Sequence, residues 1–86
     1  MYLVLVYDTD KKNCAKLHKA LKRHLHWNQR SVFEGQVTPA QLAEIKHTIH
    51  RIRHPKSHIV FYQIENEKML KKEELGEGEG NTGNII

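Results

Sequence analysis

An α+β sandwich of ferredoxin-like βαββαβ order, extended at its C-terminus and paired through its sheet into a twofold homodimer, is the architecture this 86-residue sequence predicts. Three observations predict it. The runs Tyr2-Leu3-Val4-Leu5-Val6-Tyr7 and His58-Ile59-Val60-Phe61-Tyr62-Gln63-Ile64 have the β-branched and aromatic content of strands. Two stretches with apolar residues at helical spacing alternate with extended segments, as in a split βαβ arrangement with both helices on one sheet face. The opening run is apolar on both alternating sets, Leu3, Leu5 and Tyr7 on one face and Tyr2, Val4 and Val6 on the other. Helices cover one of these faces, and a second copy of the chain is the simplest cover for the other.

The opening strand stops on Asp8. A carboxylate beside apolar surface needs a cation, a hydrogen-bond donor or water, so Asp8 reads either as a strand-end group bonded to the following turn or as a metal ligand. Asp10 is placed to cap a helix that begins at Lys11. Cys14, Leu17, Leu21 and Leu25 form its apolar stripe, with Ala20 flanking them. Lys11, Lys12, Lys16, Lys19, Lys22 and Arg23 occupy the remaining surface, as a solvated basic face or as a surface that contacts phosphates.

From Trp27 to Val37 the chain is extended, with room for two short strands or one bent strand divided near Arg30 to Val32. No Asn-Gly or Asp-Gly marks a tight turn within it. Thr38-Pro39-Ala40-Gln41 is a full helix start: threonine cap, proline at the first helical position, glutamine at the capping-box position. Leu42, Ile45, Ile49 and Ile52 then share one face, and Pro55 stops the helix near His54. The strand at 58–64 is expected beside the opening one. Residues 1–64 make the core, and 65–86 a charged, glycine-rich tail. In that tail Met69 and Leu70 are the expected hydrophobic anchors, and Ile85-Ile86 a short terminal strand or a frayed end.

Charge narrows the function. Residues 1–64 carry 11 Lys and Arg against 4 Asp and Glu, whereas 65–86 carry 3 against 6. A basic body favours polyanionic partners, nucleic acid first. The lone Cys14 forms no internal disulfide, and no signal or membrane-spanning segment is present, so a reduced, cytoplasmic protein without membrane partners is expected. His47, His50 and His54 lie opposite the apolar stripe of the second helix, and the last two have the spacing of zinc ligands. No nearby cysteine or carboxylate completes such a set, which leaves surface or phosphate contact beside Arg51 and Arg53.

Tyr7-Asp8 closing the first strand, followed by Gln29-Arg30-Ser31-Val32-Phe33-Glu34-Gly35 ahead of a capped helix, resembles the CRISPR-associated protein two family across residues 1–64. The resemblance implies a ferredoxin-like homodimer whose two Asp8 carboxylates face each other and hold one divalent ion, Mg²⁺ by the chemistry of hard oxygen ligands. It implies that Ser31 and Phe33 lie near this metal site. It implies work in spacer acquisition with the CRISPR integrase, either as a metal-dependent endonuclease on RNA or DNA or as a non-catalytic scaffold that bridges integrase dimers along protospacer DNA. For both roles Lys12, Lys16, Arg30, Arg51 and Arg53 are candidate phosphate contacts. A third class, an RNA-recognition or regulatory module of the same fold, lacks its glycine-aromatic signature here.

Overall fold

Alternation along the first strand, β1 (Tyr2–Asp8), sorts the molecule into layers. Leu3, Leu5 and Tyr7 are buried, while Tyr2, Val4 and Val6 are half-buried and Asp8 is exposed. The computed structural model describes residues 1–77, and continues with α1 (Lys11–Leu21), β2 (His26–Gln29), β3 (Val32–Gln36), α2 (Pro39–Ile52) and β4 (His58–Ile64). The sheet order is β2-β3-β1-β4 and every neighbouring pair is antiparallel, the expected ferredoxin-like arrangement. Both long apolar strands lie side by side, because β1 pairs with β4 over its full length from Tyr2↔Ile64 to Asp8↔His58.

Both helices cover the Leu3, Leu5 and Tyr7 face. Leu17 and Leu21 from α1 meet Leu42, Ile45 and Ile49 from α2, with Phe33 at the centre. The capping box is complete: Gln41 N–H donates to Thr38 Oγ1 at 3.1 Å and Thr38 N–H donates to Gln41 Oε1 at 2.8 Å. Leu25 is buried as its spacing suggests, but it lies beyond the end of α1, in a turn held by Leu25 N–H donating to Leu21 O at 2.9 Å.

The extended segment divides into two strands through a tight turn at Arg30 and Ser31. Arg30 has φ +39°, the left-handed conformation that a non-glycine residue adopts at a cost of about 1 kcal/mol. Trp27 Nε1 donates to Arg30 O at 2.8 Å and helps to hold the turn, and Asn28 is a bulge between the pairs Trp27↔Phe33 and Gln29↔Val32. The turn is thus made by side-chain and bulge contacts, and for that reason it lacks the usual turn dipeptide.

Beyond β4, Met69 does not anchor the tail: it is 78% exposed, whereas Leu70 is half-buried. Polar contacts hold this segment, as described below. Ile85 and Ile86, expected as a terminal strand, lie outside the described residues. Among the described residues no helix is long and apolar enough to cross a membrane.

Candidate functional site

Asp8 is an even-numbered residue of β1, so its side chain shares the helix-free sheet face with Tyr2, Val4 and Val6. Val32 and Val60 flank Val6 on this face, Tyr62 beside Val4 is 56% exposed, and His58 stands opposite Asp8. Asp10 alone caps α1, accepting from Asn13 N–H at 2.7 Å. Among the described residues the Asp8 carboxylate makes no hydrogen bond or ion pair, which leaves its oxygens open to a ligand.

Among the described residues no three His, Cys, Asp or Glu gather as a metal cage. One chain brings one carboxylate to this end of the face, with one imidazole opposite. A single carboxylate suits, at most, an oxygen-preferring ion that keeps most of its water shell.

The hairpin between β2 and β3 reaches the same end of the sheet, since Tyr7 N–H donates to Ser31 O at 3.1 Å. Arg30 is exposed at its tip. Ser31 and Phe33 do not converge on Asp8. Ser31 shares the helix-covered side of the hairpin strand with Phe33, and Phe33 is 0% exposed, with its ring 6.3 Å from Tyr7 and 5.3 Å from His18. A ring with no exposed surface touches no phosphodiester, so Phe33 acts through packing. Burial pushes the Tyr7 phenol up to about 12, with Cys14 adding to the rise and Ser31 opposing it. Burial against Trp27 and Phe33, with the Lys22 charge nearby, holds His18 below the ordinary imidazole range.

The basic candidates separate into groups. Lys12, Lys16 and Arg53 border a depression with Asp10, Asn13 and His54. Lys16 and Arg51 face each other across a cleft between α1 and α2. Arg53 also braces the turn between α2 and β4, donating from Nε to Ser57 Oγ at 2.9 Å and from Nη2 to Ser57 O at 2.8 Å.

Two residues missed by periodicity shape the site. Asn13 is a buried amide that fastens the start of α1 to the end of α2. Glu34 lies on the helix-free face yet is 5% exposed, because the tail crosses over it. Tyr2 hydroxyl donates to its Oε1 at 2.5 Å, Lys72 Nζ donates to the same oxygen at 2.9 Å, and Asn28 Nδ2 donates to Oε2. Gln36 and Glu67 make a further contact, and Lys72 reaches Glu74 at 3.0 Å. The tail therefore occupies the Tyr2 half of the open face and leaves the Asp8 half bare.

Burial alone would raise the Glu34 carboxyl, but the bonds from Tyr2, Lys72 and Asn28, with the Lys72 charge, hold it below the usual carboxylate range. A depressed carboxyl stabilises the fold above its unfolded pKa of about 4.3, and this contribution is lost as pH falls through the lower folded value. Glu34→Gln is expected to lower stability by about 1–3 kcal/mol at pH 7. Thermal melts of wild type and variant should converge as the pH falls below about 4, and a gap independent of pH would contradict the charged latch.

Comparisons with known proteins bear on these features. A family model described as CRISPR associated protein Cas2 matches residues 1–72. Proteins named CRISPR-associated endoribonuclease Cas2 from Methanosarcina acetivorans and Thermotoga maritima are 38% and 35% identical, each over 100% of both chains. Among solved structures, one described as the crystal structure of cas2 superposes with a TM-score of 0.83 at 31% identity, covering 100% of this chain and 98% of that one. The Streptococcus pyogenes Cas2 structure at pH 6.5 gives 0.76 at 30% identity, covering 88% of this chain and 100% of that one.

Proposed function

The chain belongs to the CRISPR associated protein Cas2 family, and from that premise we propose that it acts in spacer acquisition beside the CRISPR integrase as a Mg²⁺-dependent endonuclease of RNA or DNA, working as a sheet-to-sheet homodimer. The observation that carries the reading is Asp8 itself: an exposed carboxylate without a partner among the described residues, at the end of the central strand and on the face the helices leave bare. Val6, Val32, Val60 and Tyr62 supply apolar surface next to it for a second copy to cover. The relatives' name, endoribonuclease, supports the same reaction class.

Asp8 from each of two copies would hold the ion, with water in the remaining positions. When bound, the ion supplies electrostatic stabilisation of the charge that grows on the phosphoryl oxygens and lowers the pKa of a bound water. The chain's own groups do the rest. Arg30 at the hairpin tip and Lys12 at the start of α1 hold phosphates by charge-assisted hydrogen bonds. The buried Tyr7 side chain, packed against Phe33, steadies the strand end from beneath.

The test is the purified protein on labelled RNA and duplex DNA with Mg²⁺ or EDTA, beside an acquisition assay with the integrase. Cutting that depends on the metal supports the nuclease. Intact acquisition with no cutting under any divalent ion would overturn it in favour of a bridging scaffold.

A further inference from the structure

The helix layer carries a second charged feature, on the side of the molecule opposite the Asp8 face. α1 and α2 border an open cleft of about 590 Å³. Lys16, Lys19 and Arg23 form its wall on α1, and His47 and Arg51 line the α2 side. Glu44 is the only acidic side chain among the lining residues. Among the described residues none of Lys16, Lys19, Arg23 and Arg51 makes an ion pair.

This placement works against stability. Lys16, Lys19 and Arg23 follow i, i+3, i+7 spacing, and like charges three or four residues apart on a helix are unfavourable. A solvated face usually interleaves acids among such bases, and α1 contains no acid at all between Lys11 and Leu21. At ~1.5 Å of rise per residue these three cations span roughly 10 Å, against about 3.4 Å of axis per phosphate along one strand. Helices packed with their axes about 8–10 Å apart leave a shallow groove between them on the scale of one sugar-phosphate backbone.

We propose that the cleft between α1 and α2 binds the phosphodiester backbone of one nucleic-acid strand, through Lys19 and Arg23 together with Lys16 and Arg51, as a site separate from the Asp8 face. The proposal rests on the nucleic-acid reading given above. It adds that a dimer closed through its sheets carries two such clefts facing outward, so one dimer holds two strand segments apart from the site of cutting.

The test is binding of a fluorescent 12-nucleotide single strand to the full-length protein, measured over a range of salt concentrations. Lys19→Ala combined with Arg23→Ala is expected to weaken binding at least tenfold at low salt and to reduce the salt slope by about 1.4, as loss of two phosphate contacts requires. Both residues are exposed, and circular dichroism checks that the fold is kept. Saturation should fall by one strand per chain in the double variant, with any strand held at the Asp8 face still bound. Wild-type binding by the double variant would overturn the cleft, as would equal competition by poly-glutamate of matched length, which would make it a site for acidic peptide. Cutting is scored separately: its retention by the double variant keeps the two sites distinct, and absence of cutting with cleft-dependent binding overturns only the nuclease.

Discussion

Asp8→Asn should reduce Mg²⁺-dependent cutting by about 10²–10³-fold, the cost of removing one electrostatic group that acts on the transition state, roughly 3–4 kcal/mol. Asparagine keeps the shape and one acceptor oxygen but lacks the charge that a hard cation requires. The symmetry of the proposed site doubles the lesion, since one substitution removes both carboxylates of a dimer. Stability should change little, within about 0.5 kcal/mol, because Asp8 is exposed and makes no hydrogen bond or ion pair among the described residues. The measurement pairs initial rates on RNA and duplex DNA with a thermal melt. Cutting at the wild-type rate would remove Asp8 from the chemistry, and a large fall in melting temperature would mean that its role is structural.

The largest stability effect is expected at Asn13. Its Oδ1 accepts from His54 N–H at 3.0 Å and from Thr9 Oγ1 at 3.1 Å, and its Nδ2 donates to Ile52 O at 2.9 Å. These bonds satisfy backbone groups at the C-terminal end of α2, where helix carbonyls have no partner of their own. Asn13→Ala leaves them buried and unpaired at a cost of about 2–4 kcal/mol. For a domain of this size that corresponds to a fall of roughly 10–20 °C in melting temperature. Asn13→Asp keeps the acceptor for His54 but sets a carboxylate against the Ile52 carbonyl, so it should not restore stability. A loss below about 0.5 kcal/mol for Asn13→Ala would show that water replaces the amide.

The contrast between these two residues shows what was legible in the chain. Asp8 stands out because it ends an apolar run, a local pattern. Asn13 sits one position before the apolar Cys14 and looks like an ordinary polar residue of a helix start; beyond nearby Thr9, its partners are 39 and 41 positions away. Glu34 is similar. Its place in Val32-Phe33-Glu34-Gly35 suggests a strand carboxylate facing solvent, and its burial comes with bonds from Tyr2, 32 positions away, and Lys72, 38 residues on. Met69, chosen as an anchor by its side chain, lies exposed because the tail docks through Lys72, Glu67 and Leu70.

Periodicity and capping determined, without coordinates, the element order, the alternation of β1 into two apolar faces and the start of α2 at Thr38-Pro39. These depend on neighbours within a few residues, and helix and strand geometry assigns them a face directly. Tertiary structure alone decided that Ser31 and Phe33 lie on the opposite face of the sheet from Asp8. It also decided that the tail covers Glu34, and that Lys16, Lys19 and Arg23 look across a cleft at Arg51. The physical reason is common to all three: strand register and the packing of one helix against another bring together residues far apart in the chain, and local spacing carries no record of that distance.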